Sequence, residues 1–271
     1  MSTANALRIQ IEHALERRFP AALSPMPRTI RETAATGIPE IDELLDGGLP
    51  VGAISEITGP ECSGRTSLVL SFLAQRTREG HVCAWVDAED AFDPQSAAAS
   101  GVELKQLLWV RCRNEDRNQR EKKPWRRLDQ VVRATDLLLQ AGGFSAIVLD
   151  LAGTAPDHAR RIPLATWFRF RQAAQRSQCS LVVLGQDACA QSSAESVLEC
   201  APWRSNACGE TVLMGFTYEV RSKRGPAAPS TLSMAGQRKP PVSTWSATGA
   251  WDVENRDLRR EIVVDGVRKF A

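Results

Sequence analysis

The amino-acid sequence predicts an α/β fold with a mostly parallel central sheet flanked by helices, plus an N-terminal helix and a short C-terminal extension. Three observations support this prediction. Short apolar runs alternate with segments of helical periodicity from residue 36 to about residue 185, which is typical of a parallel sheet covered on both faces. A glycine-rich loop joins the first strand to the first helix. Two later apolar runs lead into polar side chains.

The predicted elements follow one another in the order that such a sheet requires. Strands are predicted over residues 53–58, 82–86, 107–110, 145–151 and 180–184, and helices over residues 66–79, 128–140 and 164–177. Past Gly185 the pattern loosens, although residues 211–221 are typical of a longer, antiparallel strand. Proline, serine and glycine dominate residues 225–249, which leaves only brief apolar stretches there.

An amphipathic helix is predicted over residues 4–19, where apolar side chains recur every four residues. These side chains are Leu7, Ile11, Leu15 and Phe19. Three prolines between residues 20 and 27 prevent the helix from continuing. The helix either packs on its own domain or is donated to a neighbouring subunit. We therefore predict three parts: a helix with its linker (residues 1–27), a core (residues 28–235) and an extension (residues 236–271).

The composition is that of an ordinary globular protein, with 43% hydrophobic and 24% charged residues. A net charge of +2 does not by itself imply a nucleic-acid partner. No apolar run approaches the roughly 18 residues needed to span a bilayer, and the N-terminus lacks a secretory pattern. The seven cysteines are scattered without C-x-x-C pairs, so we expect reduced thiols in the cytoplasm, with neither a zinc site nor a disulfide framework.

The glycine-rich loop has the spacing of the phosphate-binding loop, G-x-x-x-x-G-K-[ST]. Its residues are Gly59, Pro60, Glu61, Cys62, Ser63, Gly64, Arg65, Thr66 and Ser67. In this motif backbone N–H groups and the helix N-terminus bind phosphate, and the hydroxyl of Thr66 would bind Mg²⁺. Arg65 stands where the motif has lysine, and a planar guanidinium is not equivalent to a compact ammonium. The loop predicts a site for ATP and Mg²⁺ in which hydrolysis is weak or lost.

Three polar residues lie at the carboxyl ends of the other predicted strands, where α/β sheets bind ligands. They are Glu89, Asp150 and Gln186. The sequence Ala-Ile-Val-Leu-Asp that ends at Asp150 has the form of a strand with a magnesium-binding carboxylate. A second carboxylate can orient a water, and an amide can sense a γ-phosphate. Each feature alone is common in α/β proteins, but their order along one chain favours a nucleotide site.

These motifs resemble the RecA family of recombinases, from the N-terminal helix to about residue 230. Residues 59–67 resemble that family's GPESSGKTT, and residues 85–94 resemble its FIDAEHALDP. The turn Gly-Gly-Leu-Pro at residues 47–50 also corresponds.

The resemblance implies roles for individual residues. Glu89 would position the attacking water, Asp150 would hold the magnesium, and Gln186 would link the nucleotide site to DNA. Asp93 would contact the adenine. The basic run at residues 221–224 would reach a neighbour's nucleotide in a filament.

Several departures from the family pattern accompany Arg65. Ser96 stands where the family has an aromatic side chain that stacks on adenine. The segment of residues 151–163 is shorter than the family's first DNA-binding loop. Residues 187–209, where we expect the second loop, lack its Gly-Gly-Asn stretch. The recombinases' C-terminal domain is not expected here. With these losses the chain is similar to the ImuA proteins, shortened RecA-like partners of ImuB and DnaE in translesion synthesis.

Three functions are compatible with this resemblance. The first is a DNA-repair accessory protein that contacts RecA or an ImuB-type polymerase and hydrolyses ATP weakly or not at all. The second is an active ATPase or small recombinase that depends on single-stranded DNA. The third is a structural relative that binds no nucleotide. Residues 1–27 are expected to mediate self-association or association with RecA, single-stranded DNA is a further candidate partner, and no membrane partner is expected.

Basic side chains cluster in residues 111–127, which carry eight basic and three acidic residues. This segment is either a solvated loop or a patch that contacts nucleic-acid phosphates. Arg160 and Arg161 allow the same two interpretations. Trp203 and Trp245 could stack on bases, although a packing role is the simpler explanation. Residues 251–271 alternate charged and apolar side chains, which suggests a partner-binding tail.

Overall fold

The computed structural model describes residues 32–112, 124–208, 212–225 and 242–247, with the side chains of residues 124–126, 203–208, 212–215 and 242–247 left aside. All described residues except Glu32 belong to one unit, Thr33–Ala271. The predicted N-terminal helix, most of the basic segment 111–127 and most of the C-terminal extension lie outside the described residues. The side chains of Trp203 and Trp245 lie outside them as well.

The chain forms strands and helices in alternation. The strands are β1 (Thr33–Ala34), β2 (Leu49–Pro50), β3 (Ile54–Thr58), β4 (Cys83–Asp87), β5 (Leu107–Arg111), β6 (Ala146–Asp150), β7 (Ser180–Gly185), β8 (Ala194–Cys208), β9 (Val212–Arg224) and β10 (Val242–Ala247). The α-helices are α1 (Pro39–Leu44), α2 (Arg65–Arg78), α3 (Pro94–Ala99), α4 (Pro124–Ala141), α5 (Pro156–Ala159) and α6 (Leu164–Ser177).

Eight of the strands form one sheet in the order β10-β9-β8-β3-β7-β6-β4-β5. The six strands from β8 to β5 run parallel, whereas β9 and β10 are added in antiparallel fashion. Strands β1 and β2 form a separate antiparallel pair. The predicted fold class, a mostly parallel sheet flanked by helices, is confirmed.

Both faces of the parallel sheet are buried, as β6 illustrates. Ala146 and Val148 pack in a cluster with apolar side chains of α2. Ile147 and Leu149, which alternate with them, pack in a second cluster with side chains of α4 and α6. A strand covered on both sides favours apolar residues at successive positions. This explains why the sequence of β6 is uninterrupted by polar residues before Asp150.

The central elements lie within a few residues of their predicted bounds, and α6 matches its prediction at both ends. The expected loop at residues 187–209 is wrong from residue 194 onward, because β8 occupies residues 194–208. Pro202 interrupts the strand pattern, and it lies at a register shift where β8 pairs with β9. Proline is tolerated in a strand at such a bulge. β10 was not predicted either. Its sequence is largely polar, and it pairs with β9 at the edge of the sheet.

In the described part of the chain, no helix combines the length and the apolar character that a membrane span requires.

We expect the packing of α6 to contribute strongly to stability. Phe170 is fully buried and meets Trp167 edge-on, with ring centroids 5.8 Å apart. Phe170→Ala should therefore lower the free energy of unfolding by about 3–5 kcal/mol. Phe168 lies on the same helix but is 55% exposed, so Phe168→Ala should change it by less than about 0.5 kcal/mol. Denaturant titrations of both variants test the assignment, and equal losses would contradict the described orientation of α6.

Candidate functional site

The predicted phosphate loop connects β3 to α2 at the carboxyl edge of the sheet. Its backbone takes positive φ angles at Gly59 (151°), Cys62 (58°) and Gly64 (80°). Glycine adopts such angles without steric cost, whereas Cys62 is held in the left-handed region by the loop around it. The loop begins close to the end of β7, because the N–H of Gly59 donates to the carbonyl of Gln186 at 3.1 Å. The loop is therefore fixed to a neighbouring strand at its first residue.

Two glycines of the loop are also required by packing. A Cβ atom at Gly59 would lie 2.3 Å from the carbonyl oxygen of Cys200 on β8. A Cβ atom at Gly64 would lie 2.6 Å from the ring of Tyr218 on β9. Neither distance is sterically allowed, so β8 and β9 bring their own atoms into contact with the loop. Neither contact could be predicted from the sequence. The one available signal was that Tyr218 is the only tyrosine in the chain.

Arg65 points back into the fold and is only 7% exposed. Its Nη1 atom donates to the carbonyls of Gly59 and of Gly185, the second at 3.0 Å. Its Nη2 atom donates to the carbonyl of Ala152 at 3.3 Å. Burial lowers the pKa of the guanidinium, and the nearby carboxylate of Asp150 opposes that shift. The side chain that replaces the phosphate lysine is thus engaged by three backbone carbonyls of this protein.

The turn after β6 brings together several of the predicted residues. The Oδ1 atom of Asp150 accepts the N–H of Ala152 at 2.9 Å, and the carbonyl of Ala152 also accepts Nε2 of Gln186 at 3.2 Å. Burial raises the pKa of the Asp150 carboxyl to about 6, while the N–H of Ala152 opposes this shift. Arg65, Asp150 and Gln186 therefore meet around one residue, Ala152, whose backbone atoms gave no signal in the sequence.

Glu89 lies in the loop that follows β4, which we call the acidic loop (residues 88–93). Its side chain lies over the turn after β6, because a Cβ atom at Gly153 would come within 2.8 Å of its Cγ atom. Its Oε2 atom forms an ion pair with Nη1 of Arg127, near the start of α4. The structure thus brings Glu89 to the same edge as Asp150 and adds a partner that sequence analysis did not anticipate.

Asp87 holds the acidic loop in place and was not among the predicted site residues. It is fully buried at the end of β4. Its Oδ1 atom accepts the N–H groups of Glu89 and Ala91, both at 3.1 Å. Its Oδ2 atom accepts the N–H of Phe92 at 2.9 Å and the indole N–H of Trp109 at 3.2 Å. A carboxylate that accepts four donors fixes the backbone that carries Glu89.

Asp93 caps the short helix α3. Its carboxylate accepts the N–H groups of Gln95 and Ser96, both at 3.1 Å, and the hydroxyl of Ser96. The hydroxyl of Ser96 is the main cause that lowers the pKa of Asp93. The residue that replaces the family's stacking aromatic therefore bonds to the carboxylate that would contact adenine.

The polar atoms of the loop fit a phosphate group. The Oγ atom of Ser63 is buried and has no hydrogen-bond partner among the described residues, and such an atom requires an explanation. Thr66 is exposed in the first turn of α2. Among the described residues no three His, Cys, Asp or Glu side chains cluster as a metal site. Mg²⁺ in nucleotide sites does not need such a cluster, since phosphates and water supply most of its ligands.

The basic residues of β9 have partners within the chain. Arg221 pairs with Glu219, and Lys223 pairs with Glu199 at 2.8 Å. Arg224 donates to the carbonyl of Ala194 at 3.0 Å. The predicted contact with a neighbour's nucleotide would require these side chains to exchange partners.

We expect Asp87 to stabilise the acidic loop. Asp87→Ala would leave three backbone N–H groups and one indole without their acceptor, which should lower the free energy of unfolding by at least about 3 kcal/mol. The amides of Glu89, Ala91 and Phe92 should exchange faster with solvent. Asp90→Asn is the control in the same loop, since Asp90 pairs with the exposed Arg111. Unchanged exchange at residues 89–92 in Asp87→Ala would contradict this role.

The chain is similar to known proteins. The chain is 34% identical to Protein RecA of Ruegeria pomeroyi over 171 residues, which cover 57% of this chain and 45% of that protein. It thus matches less than half the length of this relative. The crystal structure of the RadB recombinase superposes with a TM-score of 0.50 at 16% identity, covering 72% of this chain and 90% of RadB. The family model of the RecA N-terminal domain matches residues 5–153, more than half of the chain. The chain belongs to the family of the RecA N-terminal domain.

Proposed function

We propose that this protein is a RecA-like accessory protein of DNA repair, similar to the ImuA proteins. It would act in damage-induced translesion synthesis by binding RecA, an ImuB-type polymerase or both. Nucleotide would bind weakly, and hydrolysis would be slow or absent. The observation that carries this proposal is the position of Arg65, whose guanidinium is bonded to the carbonyls of Gly59, Ala152 and Gly185.

The contacts of Arg65 argue for a weak phosphate site. To meet a β- or γ-phosphate, the guanidinium would have to leave its carbonyl partners. A hydrogen bond to a charged group contributes about 1.5–3 kcal/mol, so this exchange would offset part of the attraction to the phosphate. A lysine would offer a single compact charge and fewer competing bonds. The substitution therefore favours stability of the empty loop over nucleotide affinity.

The remaining residues of the site would still accept ATP with Mg²⁺. The phosphates would lie against the N–H groups of residues 59–67 and the hydroxyl of Ser63. Thr66 and Asp150 would hold the ion, which would neutralise charge on the phosphates. Glu89 would orient a water, and Gln186 would sense the γ-phosphate. Asp93 would contact the adenine through an acceptor position that Gln95 and Ser96 leave open.

A second function is favoured by a different observation. The side chains of Glu89 and Gln186 lie at the turn that begins with Asp150, and two carboxylates beside an amide favour ATP hydrolysis. The alternative is therefore an active ATPase or small recombinase that depends on single-stranded DNA. The two functions predict different turnover.

We expect weak binding of Mg²⁺ and ATP that improves when the lysine is restored. Arg65→Lys should tighten binding about tenfold, the equivalent of about 1.4 kcal/mol, as measured by calorimetry. Arg76→Lys is the matched control, since Arg76 lies on the same helix but bonds to Ser145. Rapid turnover of the unaltered protein with single-stranded DNA, abolished by Glu89→Gln, would contradict the accessory function and establish the alternative.

We expect residues 1–27 to mediate association. Deletion of residues 1–26 should leave the unfolding midpoint of the core unchanged, because the described core forms a unit that starts at Thr33. It should abolish binding to RecA or to a second copy of this chain, measured by sedimentation. Leu7→Ala with Leu15→Ala should have the same effect, because the helical periodicity of the sequence predicts both side chains on one apolar face. Glu12→Ala, which is predicted on the polar face, is the control. Association that survives the deletion would place the partner surface on the core instead.

A further inference from the structure

Arg127 makes an ion pair with the carboxylate that would orient water in the proposed site. Nη1 of Arg127 bonds to Oε2 of Glu89, although 38 residues separate them. The Arg127 side chain is 21% exposed and that of Glu89 is 36% exposed. Because the pair is partly shielded from solvent, its attraction is screened less than that of a fully exposed pair.

The backbone that carries Glu89 is held in place by Asp87. Asp87 binds the N–H groups of Glu89, Ala91 and Phe92, and the Cγ atom of Glu89 lies close to Gly153. With the backbone fixed at one end, the direction of the carboxylate depends on its partner. That partner is Arg127.

The pair is not arranged for stability alone. The Nε atom of Arg127 is buried and has no hydrogen-bond partner among the described residues. A shielded donor without a partner is costly, and an ion pair with such a cost is weak evidence of a stabilising role. By contrast, Arg111 binds the neighbouring Asp90 through two parallel bonds of 2.6 and 2.8 Å. Asp90 is therefore bound by its arginine through two bonds, whereas Glu89 is bound by Arg127 through one.

We propose that Arg127 restrains Glu89 and thereby limits ATP turnover at this site. While the pair is formed, one oxygen of the carboxylate is occupied by a cation and cannot accept a proton from an attacking water. Arg127 touches neither the phosphate loop nor a bound nucleotide in this scheme, so it is a positioning residue. The restraint adds to the effect of Arg65, which acts on binding of the phosphates. This inference rests on the proposed nucleotide site.

Turnover of ATP with Mg²⁺ tests the restraint, in the full chain and in the full chain carrying Arg65→Lys. Arg127→Gln should raise kcat about tenfold, which is less than the 10²- to 10⁴-fold that a fully positioned base contributes, and should leave KM within about twofold. Arg127→Lys keeps the charge, so kcat should stay low. Arg169→Gln is the matched control. Arg169 lies on α6 and forms an ion pair with Asp136, which lies on α4, the helix that also carries Arg127.

Each outcome separates the restraint from the nucleotide site itself. A kcat that does not rise in Arg127→Gln, in protein whose nucleotide binding and unfolding midpoint are unchanged, overturns the restraint and leaves the proposed function intact. A kcat that rises equally in Arg169→Gln also overturns it, since the effect would then come from loosening α4. Absence of nucleotide binding in every variant, Arg65→Lys included, overturns both proposals. If Arg127→Gln lowers the unfolding midpoint, Arg127→Met replaces it, because its apolar chain fills similar space.

Discussion

The buried guanidinium of Arg65 is the interaction on which the arrangement of the site depends. A charge shielded from water must be met by polar partners, or burying it costs several kcal/mol. Here the partners are carbonyls of Gly59, Ala152 and Gly185, which belong to the segments after β3, β6 and the end of β7. One side chain therefore joins the ends of three adjacent strands. Arginine is suited to this because its donors spread across a plane, whereas the donors of lysine share one atom.

The parallel sheet and the residues at its carboxyl edge were predictable, because apolar runs in the sequence mark the strands and polar residues mark their ends. Uninterrupted apolar runs such as β6 reflect burial on two faces, and Asp150 ends that run at the predicted position. β8 was not predicted, because Pro202 is unusual within a strand. Its place at a bulge becomes evident only from the pairing with β9. The contacts of Ala152 could not be foreseen, since backbone carbonyls carry no side-chain signature. The pair between Glu89 and Arg127 was equally hidden, because nothing local specifies a contact across 38 residues.

The charged groups of the site are largely satisfied by the protein itself. Arg65 is bonded to carbonyls, Glu89 to Arg127 and Asp93 to the first turn of α3. Arg65 could reach a phosphate only after leaving carbonyl partners, and the two carboxylates could contact a nucleotide only through the acceptor positions that their partners leave open. A site of this kind holds its shape without a ligand, which is compatible with the proposed accessory function. Under that proposal, few substitutions would be needed to raise turnover, because the acidic residues Glu89 and Asp150 are in place.

The contact between Gly64 and Tyr218 changes how the glycine motif itself should be understood. Glycine at this position is usually attributed to phosphate, but here the aromatic ring already excludes any larger residue. Natural selection for a well-packed interior would preserve this glycine even in a lineage that had stopped using nucleotide altogether. Gly64 could be replaced by a larger residue only if Tyr218 were replaced by a smaller one at the same time or earlier. A motif can thus outlive the chemistry that first required it.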